Sequence, residues 1–520
     1  MFIIVNRWGA SLTLPAAILC AVFYWFSFHN SNYTVTVLDD AFQWNITEDT
    51  SKIIAQNLAF YKIATAVAKM KGADIIVFPE YGILPPLTRK KLKPYLEVIP
   101  DPKEVKINPC NERREYQNRP ILYTLSCMAQ QNEVAIVANL GAIQTCGGED
   151  RCPEDGSFYF NTNVVFDKNG TLLVRYYKEY LFYEIDMHLP IQPQNSVFKT
   201  DFGIFDTFIC FNFEFAKMAE VIQREDSEEV ALSTKVNASL HMPLVEIWES
   251  QPQENSGTLL VGNIQLPGYL AVGNGIFSGA NGPLAYRFDP DGVSKLVVAT
   301  IPRRVYSSTV SSPSGSITQF TLNSTEGSEN DGSNISKICS WRALGEAKGI
   351  YKDNKCHETS TSNNFFVKLI NDSDHIKACI NGVCCSLKYS SSGMAENFYL
   401  ITYNGTIDYY SHYSICEQTC ILARCEPNGT NPCAFFPLKS KTLFYNVQLT
   451  TYFSSKYIYP SVVSNDMRLT SLNKWNYGVH QTSSSDIYKG YINFKSTSGE
   501  ALTFAGLRSR CRDRNLPYIF

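Results

Sequence analysis

Sixteen cysteines, ten of them after position 338, constrain this 520-residue chain more than any other feature. Such a density in the last third of a chain points to a disulfide framework, and so to an oxidising compartment. Zinc is the competing reading. It requires paired Cys-x-x-Cys knuckles or histidine partners, and this tract has no such knuckles and only His357, His375, His412 and His480. Disulfides are therefore expected. The beginning of the chain agrees. After Arg7, the stretch from Trp8 to Phe28 carries no charge, which reads as a secretory h-region or an uncleaved signal anchor over residues 1–29. Both readings place the remainder outside the cytosol, secreted or membrane-anchored. Nine Asn-x-Ser/Thr sequons, at Asn32, Asn45, Asn169, Asn237, Asn323, Asn334, Asn371, Asn404 and Asn428, are consistent with that destination.

Length allows two to four domains. The 46 Lys+Arg against 49 Asp+Glu give a net charge of −3, without the basic footprint of a nucleic-acid binder. From Leu58 to Lys71 apolar residues recur at helical spacing, with Gly72 as a stop, and Asp74–Phe78 then reads as a buried strand. A second such unit runs through Ile121–Gln131 into Val134–Asn139. Val164–Phe166 and Leu172–Val174 form a predicted hairpin around a turn carrying Asn169-Gly170, and Leu284–Phe288 with Leu296–Ile301 suggest another. Helices alternating with strands predict an α/β layered domain over residues 32–305. Ser/Thr-rich composition over 306–336 reads as a linker. Residues 337–520, with short aromatic runs at Phe365–Ile370 and Phe398–Tyr403, read as a smaller β-rich, disulfide-stapled domain.

Three reactive groups lie at the ends of predicted strands. Glu80 follows Ile75–Phe78, Lys178 follows the second strand of the first hairpin, and Cys210 ends Phe205–Ile209. Strand C-termini face the cleft of an α/β sheet. A carboxylate can take a thiol proton, a thiolate can attack an amide, and an ammonium with the Phe211 N–H can hold the oxyanion. Each residue alone is more often a surface glutamate, a surface lysine or a small buried hydrophobe. With Cys20 in the leader and Cys210 set aside, fourteen cysteines remain to pair, although Cys127 on a predicted core helix is an equal candidate for the odd thiol.

Together the segments Ile75–Glu80, Tyr95–Pro102 with Pro109-Cys110, Val137–Asn139, Cys152–Gly156, Asn161–Asp167, Arg175–Lys178, Phe202–Phe205, Cys210-Phe211 and Gly273–Phe277 resemble the vanin–biotinidase branch of the nitrilase, or carbon–nitrogen hydrolase, family. Cys379–Cys385 and Tyr459-Pro460 resemble the C-terminal domain of that branch. The resemblance implies a nitrilase-like αββα sandwich and a Glu80–Lys178–Cys210 triad, with Glu184 helping to hold the lysine. It implies hydrolysis of a small-molecule amide, with no metal or other cofactor. Vanins cleave pantetheine to pantothenate and cysteamine, and biotinidase releases biotin from biocytin. Pantetheine cleavage is the expected activity, with biocytin hydrolysis or a catalytically impaired binding glycoprotein as alternatives. Three departures bear on substrate. Asn212 stands where the family has Asp, Leu232–Lys235 replaces a Pro-Thr-Ala-Trp-like segment, and Pro252 falls where a helix interior is expected. The resemblance makes His241 and Asn212 candidate substrate contacts.

Overall fold

The computed structural model describes residues 32–41, 49–84, 87–148, 151–182, 184–214, 229–234, 258–264, 273–278, 282–287, 293–302, 314–319, 349–352, 355–358, 365–370, 375–409, 413–428, 431–435, 437, 439–483 and 486–510. The leader at 1–29, His241, Lys235, Pro252 and the sequons Asn45, Asn237, Asn323, Asn334 and Asn371 lie outside them.

Alternation along the buried strands builds the first domain. Its strands are β1 (Asn32–Asp40), β2 (Ile75–Val77), β3 (Leu96–Glu97), β4 (Ala135–Thr145), β5 (Ser157–Phe166), β6 (Leu172–Tyr177), β7 (Val197–Lys199), β8 (Ile204–Ile209), β9 (Glu229–Thr234), β10 (Thr258–Ile264), β11 (Asn274–Ser278), β12 (Gly282–Arg287), β13 (Lys295–Pro302) and β14 (Ser314–Gln319). They hydrogen-bond in the order β6-β5-β4-β2-β1-β10-β9-β8-β7, with β13 and β14 added beside β1. Successive side chains on a strand point to opposite faces. Ile75, Val77, Ala135 and Val137 therefore enter one apolar layer, shared with β8–β11. Ile76, Phe78, Ile136 and Ala138 enter the other, where the long helices α1 (Thr50–Met70) and α2 (Pro120–Asn132) pack through Leu58, Tyr61, Ala64, Leu122 and Leu125. Burying both faces explains why these strands read as continuous apolar runs. α1 opens on Asp49, whose side chain accepts from the Ser51 N–H, and is followed by Gly72 at φ +79°. The result is a nitrilase-fold α/β domain.

Two expectations need correction. Leu284–Phe288 and Leu296–Ile301 do not pair as a hairpin: β12 pairs with β11, and β13 runs antiparallel to β1 and β14. A turn-like Pro-Asp-Gly says that the chain reverses, not that the flanking strands become neighbours. Residues 314–319, placed by composition inside the 306–336 linker, instead form β14, in register with β13 from Ser314↔Thr300 to Gln319↔Lys295. Backbone hydrogen bonds along an edge need no apolar alternation, so composition did not reveal this strand.

The second domain packs two antiparallel sheets face to face. One contains Phe398–Tyr409, Tyr413–Arg424, Leu502–Arg510 and Ile458–Ser464, and the other His375–Ile380, Val383–Ser391, Phe444–Phe453, Tyr488–Glu500 and Trp475–Gln481. Leu400, Leu422, Leu449, Phe494 and Leu507 fill the space between them. Cys379–Cys384, Cys385–Cys420 and Cys425–Cys433 are disulfides, so these residues are half-cystines and not zinc ligands. The Leu469 N–H donates to the Tyr286 hydroxyl at 3.0 Å, joining the second domain to β12 of the first.

Candidate active site

β1, β2, β4, β8, β9 and β10 are linked by parallel pairings, and β6 shares the direction of β4 because each is antiparallel to β5. Their C-terminal ends therefore open on one edge, as expected for an α/β cleft. Glu80 leaves that edge after β2, Lys178 is the residue after β6, and Cys210 opens a 3-10 turn (Cys210–Glu214) directly after β8. The three side chains meet there. The Lys178 ammonium donates to Glu80 Oε1 at 2.8 Å and to Glu184 Oε2 at 2.6 Å, and the Cys210 thiol is hydrogen-bonded to Glu80. Glu80 and Lys178 are each 1% exposed and Cys210 5%. Cys127, the other candidate for the odd thiol, is bonded to Cys110, and Cys146 is bonded to Cys152, whereas Cys210 stands outside the disulfides.

A framework not anticipated from sequence holds this group. The Asn161 amide donates to Glu80 Oε1 at 2.7 Å and to Glu184 Oε1 at 2.5 Å. The Tyr81 hydroxyl donates to Glu184 Oε1 at 2.5 Å, and the Phe182 N–H to Glu184 Oε2 at 2.9 Å. Behind them Asn139 donates to Asn161 Oδ1 at 2.7 Å and accepts the Tyr81 N–H at 3.0 Å. Asn163, paired with Asn139 across β4 and β5, donates to the Thr207 hydroxyl at 2.9 Å, reaching the strand that carries Cys210. The signal for these residues was present: three asparagines inside otherwise apolar strands, where buried polar groups must find partners. Tyr81 at φ +59° and Cys210 at φ +43° sit in the left-handed region, uncommon for side chains of this size, and such strain clusters at functional sites.

The electrostatics divides the two carboxyls. Burial, and next the negative Glu184, push Glu80 above the usual carboxylate range against the pull of Lys178. Burial also pushes on Glu184, but Lys178 and the hydrogen bonds from Tyr81 and Asn161 outweigh it and hold Glu184 below that range. The lysine, desolvated but set between two carboxylates, is held above its ordinary value and stays charged. A carboxyl raised by burial is a better proton acceptor than an exposed carboxylate, and it lies beside the thiol. The arrangement thus brings a thiol, a carboxyl and a fixed cation together in a buried site, the groups that nucleophilic attack on an amide needs. Among the described residues no cluster of His, Cys, Asp or Glu is placed to hold a metal ion. Phe211 is buried beside Cys210, its ring 4.9 Å from that of Phe182. Asn212, a candidate substrate contact, is buried with its amide donating to the Tyr176 hydroxyl at 2.7 Å.

The carbon–nitrogen hydrolase family model matches residues 41–245, and that of the vanin C-terminal domain matches 355–515. Biotinidase of Takifugu rubripes is 30% identical over 80% of this chain and 82% of its own length. Human pantetheinase is 29% identical over 88% of this chain and 83% of its own. Among solved structures, an amidase from Nesterenkonia sp. aligns at a TM-score of 0.38 and 17% identity, covering 53% of this chain and 92% of that one. The chain belongs to the vanin–biotinidase branch of the carbon–nitrogen hydrolase family and is a hydrolase of carbon–nitrogen bonds other than peptide bonds.

Proposed function

We propose that this hydrolase cleaves pantetheine to pantothenate and cysteamine outside the cytosol, through a thioester on Cys210. The observation that carries the chemistry is the Cys210 thiol hydrogen-bonded to a glutamate that is itself salt-bridged to a buried lysine. Glu80 takes the thiol proton as Sγ attacks the amide carbonyl carbon. The carbonyl oxygen, now negative, is held by the Lys178 ammonium and the Phe211 N–H. Glu80 returns its proton to the departing nitrogen, the C–N bond breaks and cysteamine leaves the acyl group on sulfur. Water, deprotonated by Glu80, then attacks the thioester, releases pantothenate and restores the thiol. Glu184 keeps Lys178 in place. Support for pantetheine comes from the match to pantetheinase, which spans 88% of this chain against 80% for the Takifugu biotinidase. Support for a secreted or membrane-anchored location comes from the disulfides and the uncharged run at 8–28. Among the described residues no helix is long and apolar enough to cross a membrane.

The test is a panel of pantetheine, biocytin and simple amides against wild type and Cys210→Ala, with fold monitored by melting. Cysteamine release by wild type alone is the expected result. Turnover of biocytin but not pantetheine replaces the substrate, and turnover of nothing on the panel removes the enzymatic reading.

A further inference from the structure

Tyr176 is fully buried near the end of β6, two residues before Lys178. Its hydroxyl lies 3.0 Å from Glu179 Oε2 and 2.7 Å from the Asn212 amide nitrogen. The other Glu179 oxygen accepts the Gln194 backbone N–H at 3.1 Å. A phenol has one proton, and a carboxylate can only accept. The directions are therefore fixed: Asn212 donates to Tyr176, and Tyr176 donates to Glu179. Burial, together with the negative Glu179, keeps the phenol protonated. Asn212 Oδ1 is buried and receives no hydrogen bond among the described residues, so the nitrogen is the end of this amide that the surroundings specify. This single bond ties the turn of Cys210, held at φ +43°, to the strand end that presents Lys178. A positive φ at a residue with a side chain persists only where the surroundings impose it.

We infer that Asn212 is a positioning residue, which sets the Cys210 turn against the Lys178 strand through a one-way relay Asn212→Tyr176→Glu179 that requires an amide at 212 and a carboxylate at 179. The inference rests on the reading of Cys210 as nucleophile. It does not require any particular amide substrate.

The relay has a polarity that mutation can reverse. In Asn212→Asp two carboxylates compete for one phenol proton, and one of them loses its hydrogen bond from the phenol. In the double variant Asn212→Asp with Glu179→Gln the direction inverts. The amide introduced at position 179 donates to the phenol, and the phenol donates to the carboxylate introduced at position 212. The amide oxygen at 179 still accepts from Gln194. The readout is the rate of Cys210 alkylation by iodoacetamide, measured across pH together with thermal melting. At pH 7, Asn212→Asp should alkylate roughly 10- to 100-fold more slowly than wild type, the worth of a lost charge-assisted hydrogen bond. The deficit relative to wild type should narrow as acid protonates one of the two carboxylates. The other ionisable groups facing the relay are Tyr180 and Asp206 at Tyr176, and Glu80, Tyr81, Lys178 and Glu184 at Cys210. They are common to all variants and cancel in that ratio. Glu179→Gln alone should also be slow, and the double variant should be faster than either single one. Wild-type reactivity in Asn212→Asp, or a double variant no faster than Asn212→Asp alone, overturns the inference. If the alkylation pattern holds while pantetheine is not cleaved, the relay stands and the substrate assignment falls.

Discussion

Replacing Lys178 by methionine removes the one cation that separates two buried carboxylates. Lys178 Nζ lies 2.8 Å from Glu80 and 2.6 Å from Glu184. At an effective dielectric of about 20 each attraction is roughly 6 kcal/mol before the cost of desolvation. Without the lysine, Glu80 and Glu184 share the Asn161 amide and cannot both remain ionised. The charge and hydrogen bond of Lys178 both lower Glu80, so their loss leaves burial and Glu184 to raise it further. Glu80 then holds its proton at neutral pH and cannot accept the one on sulfur. Loss of an oxyanion donor by itself lowers kcat about 100- to 1000-fold, and the protonated base adds to this at pH 7. The acid limb of the pH–rate profile for cysteamine release should therefore move to higher pH. Stability carries the same sign. A carboxyl whose folded pKa lies above its unfolded value stabilises the fold in acid and loses that contribution as pH rises through the folded pKa. Urea melts should accordingly show the Lys178→Met defect, roughly 3–5 kcal/mol for a broken buried pair, to be larger at pH 8 than at pH 5. An acid limb that stays in place or moves down, or a rate loss below about 10-fold, refutes the assignment of Lys178 as both electrostatic clamp and oxyanion donor.

Glycan mapping by mass spectrometry should find Asn169 modified and Asn404 not. Asn169 is exposed in the turn after β5, whereas the Asn404 amide donates to the Asn381 carbonyl at 2.6 Å and its oxygen accepts from Gln418 at 3.0 Å within a strand. Tyr61 stacks on Phe78 at 3.8 Å, but its buried hydroxyl has no hydrogen-bond partner among the described residues, so Tyr61→Phe should be neutral or stabilising by up to about 1–3 kcal/mol in urea melts. A Cβ at Gly82 would lie 1.9 Å from that same hydroxyl, so Gly82→Ala should destabilise by roughly 1–3 kcal/mol, and less in the Tyr61→Phe background. Burial pushes the Glu97 carboxyl up to about 7 against the Ile121 and Leu122 N–H donors at the start of α2. Folding therefore takes up a proton between about pH 4.5 and 7, and stability should fall by roughly 3 kcal/mol across that window, a slope that Glu97→Gln should remove.

The sequence made strand ends legible more readily than strand partners. Continuous apolar runs at 75–78 and 135–138, and the strand at 205–209, end on Glu80, Asn139 and Cys210, and a chain-local rule about where such strands stop locates two members of the proposed triad. Lys178 followed from the hairpin around Asn169-Gly170, where Gly170 takes φ +83°. Neighbour relations are set by tertiary packing and left no comparable trace. β12 and β13 are separated by a turn-like segment but pair with different strands, and β14 pairs with β13. Tyr81 and Tyr176 went unassigned because a buried tyrosine reads first as core. Only the placement of Glu184 and Glu179 gives their hydroxyls a role.

The asparagines explain why three distant strand ends act as one site. A carboxylate, an ammonium and a thiol in a dry pocket need donors and acceptors that do not themselves titrate, because each added charge would carry its own desolvation cost. Asparagine supplies two donors and an acceptor with no charge. Asn161 uses its donors on Glu80 and Glu184 and its acceptor on Asn139, and Asn163 spends its donors on Thr207 and the Phe208 carbonyl. Asn161, Asn163 and Asn139 lie on the paired strands β5 and β4, so the sheet register fixes their spacing. Asn161 holds the carboxyls that follow β2 and β6, and Asn163 holds β8, which carries the thiol. The geometry at Cys210 thereby rests on the pairing of two strands that contribute no reacting atom.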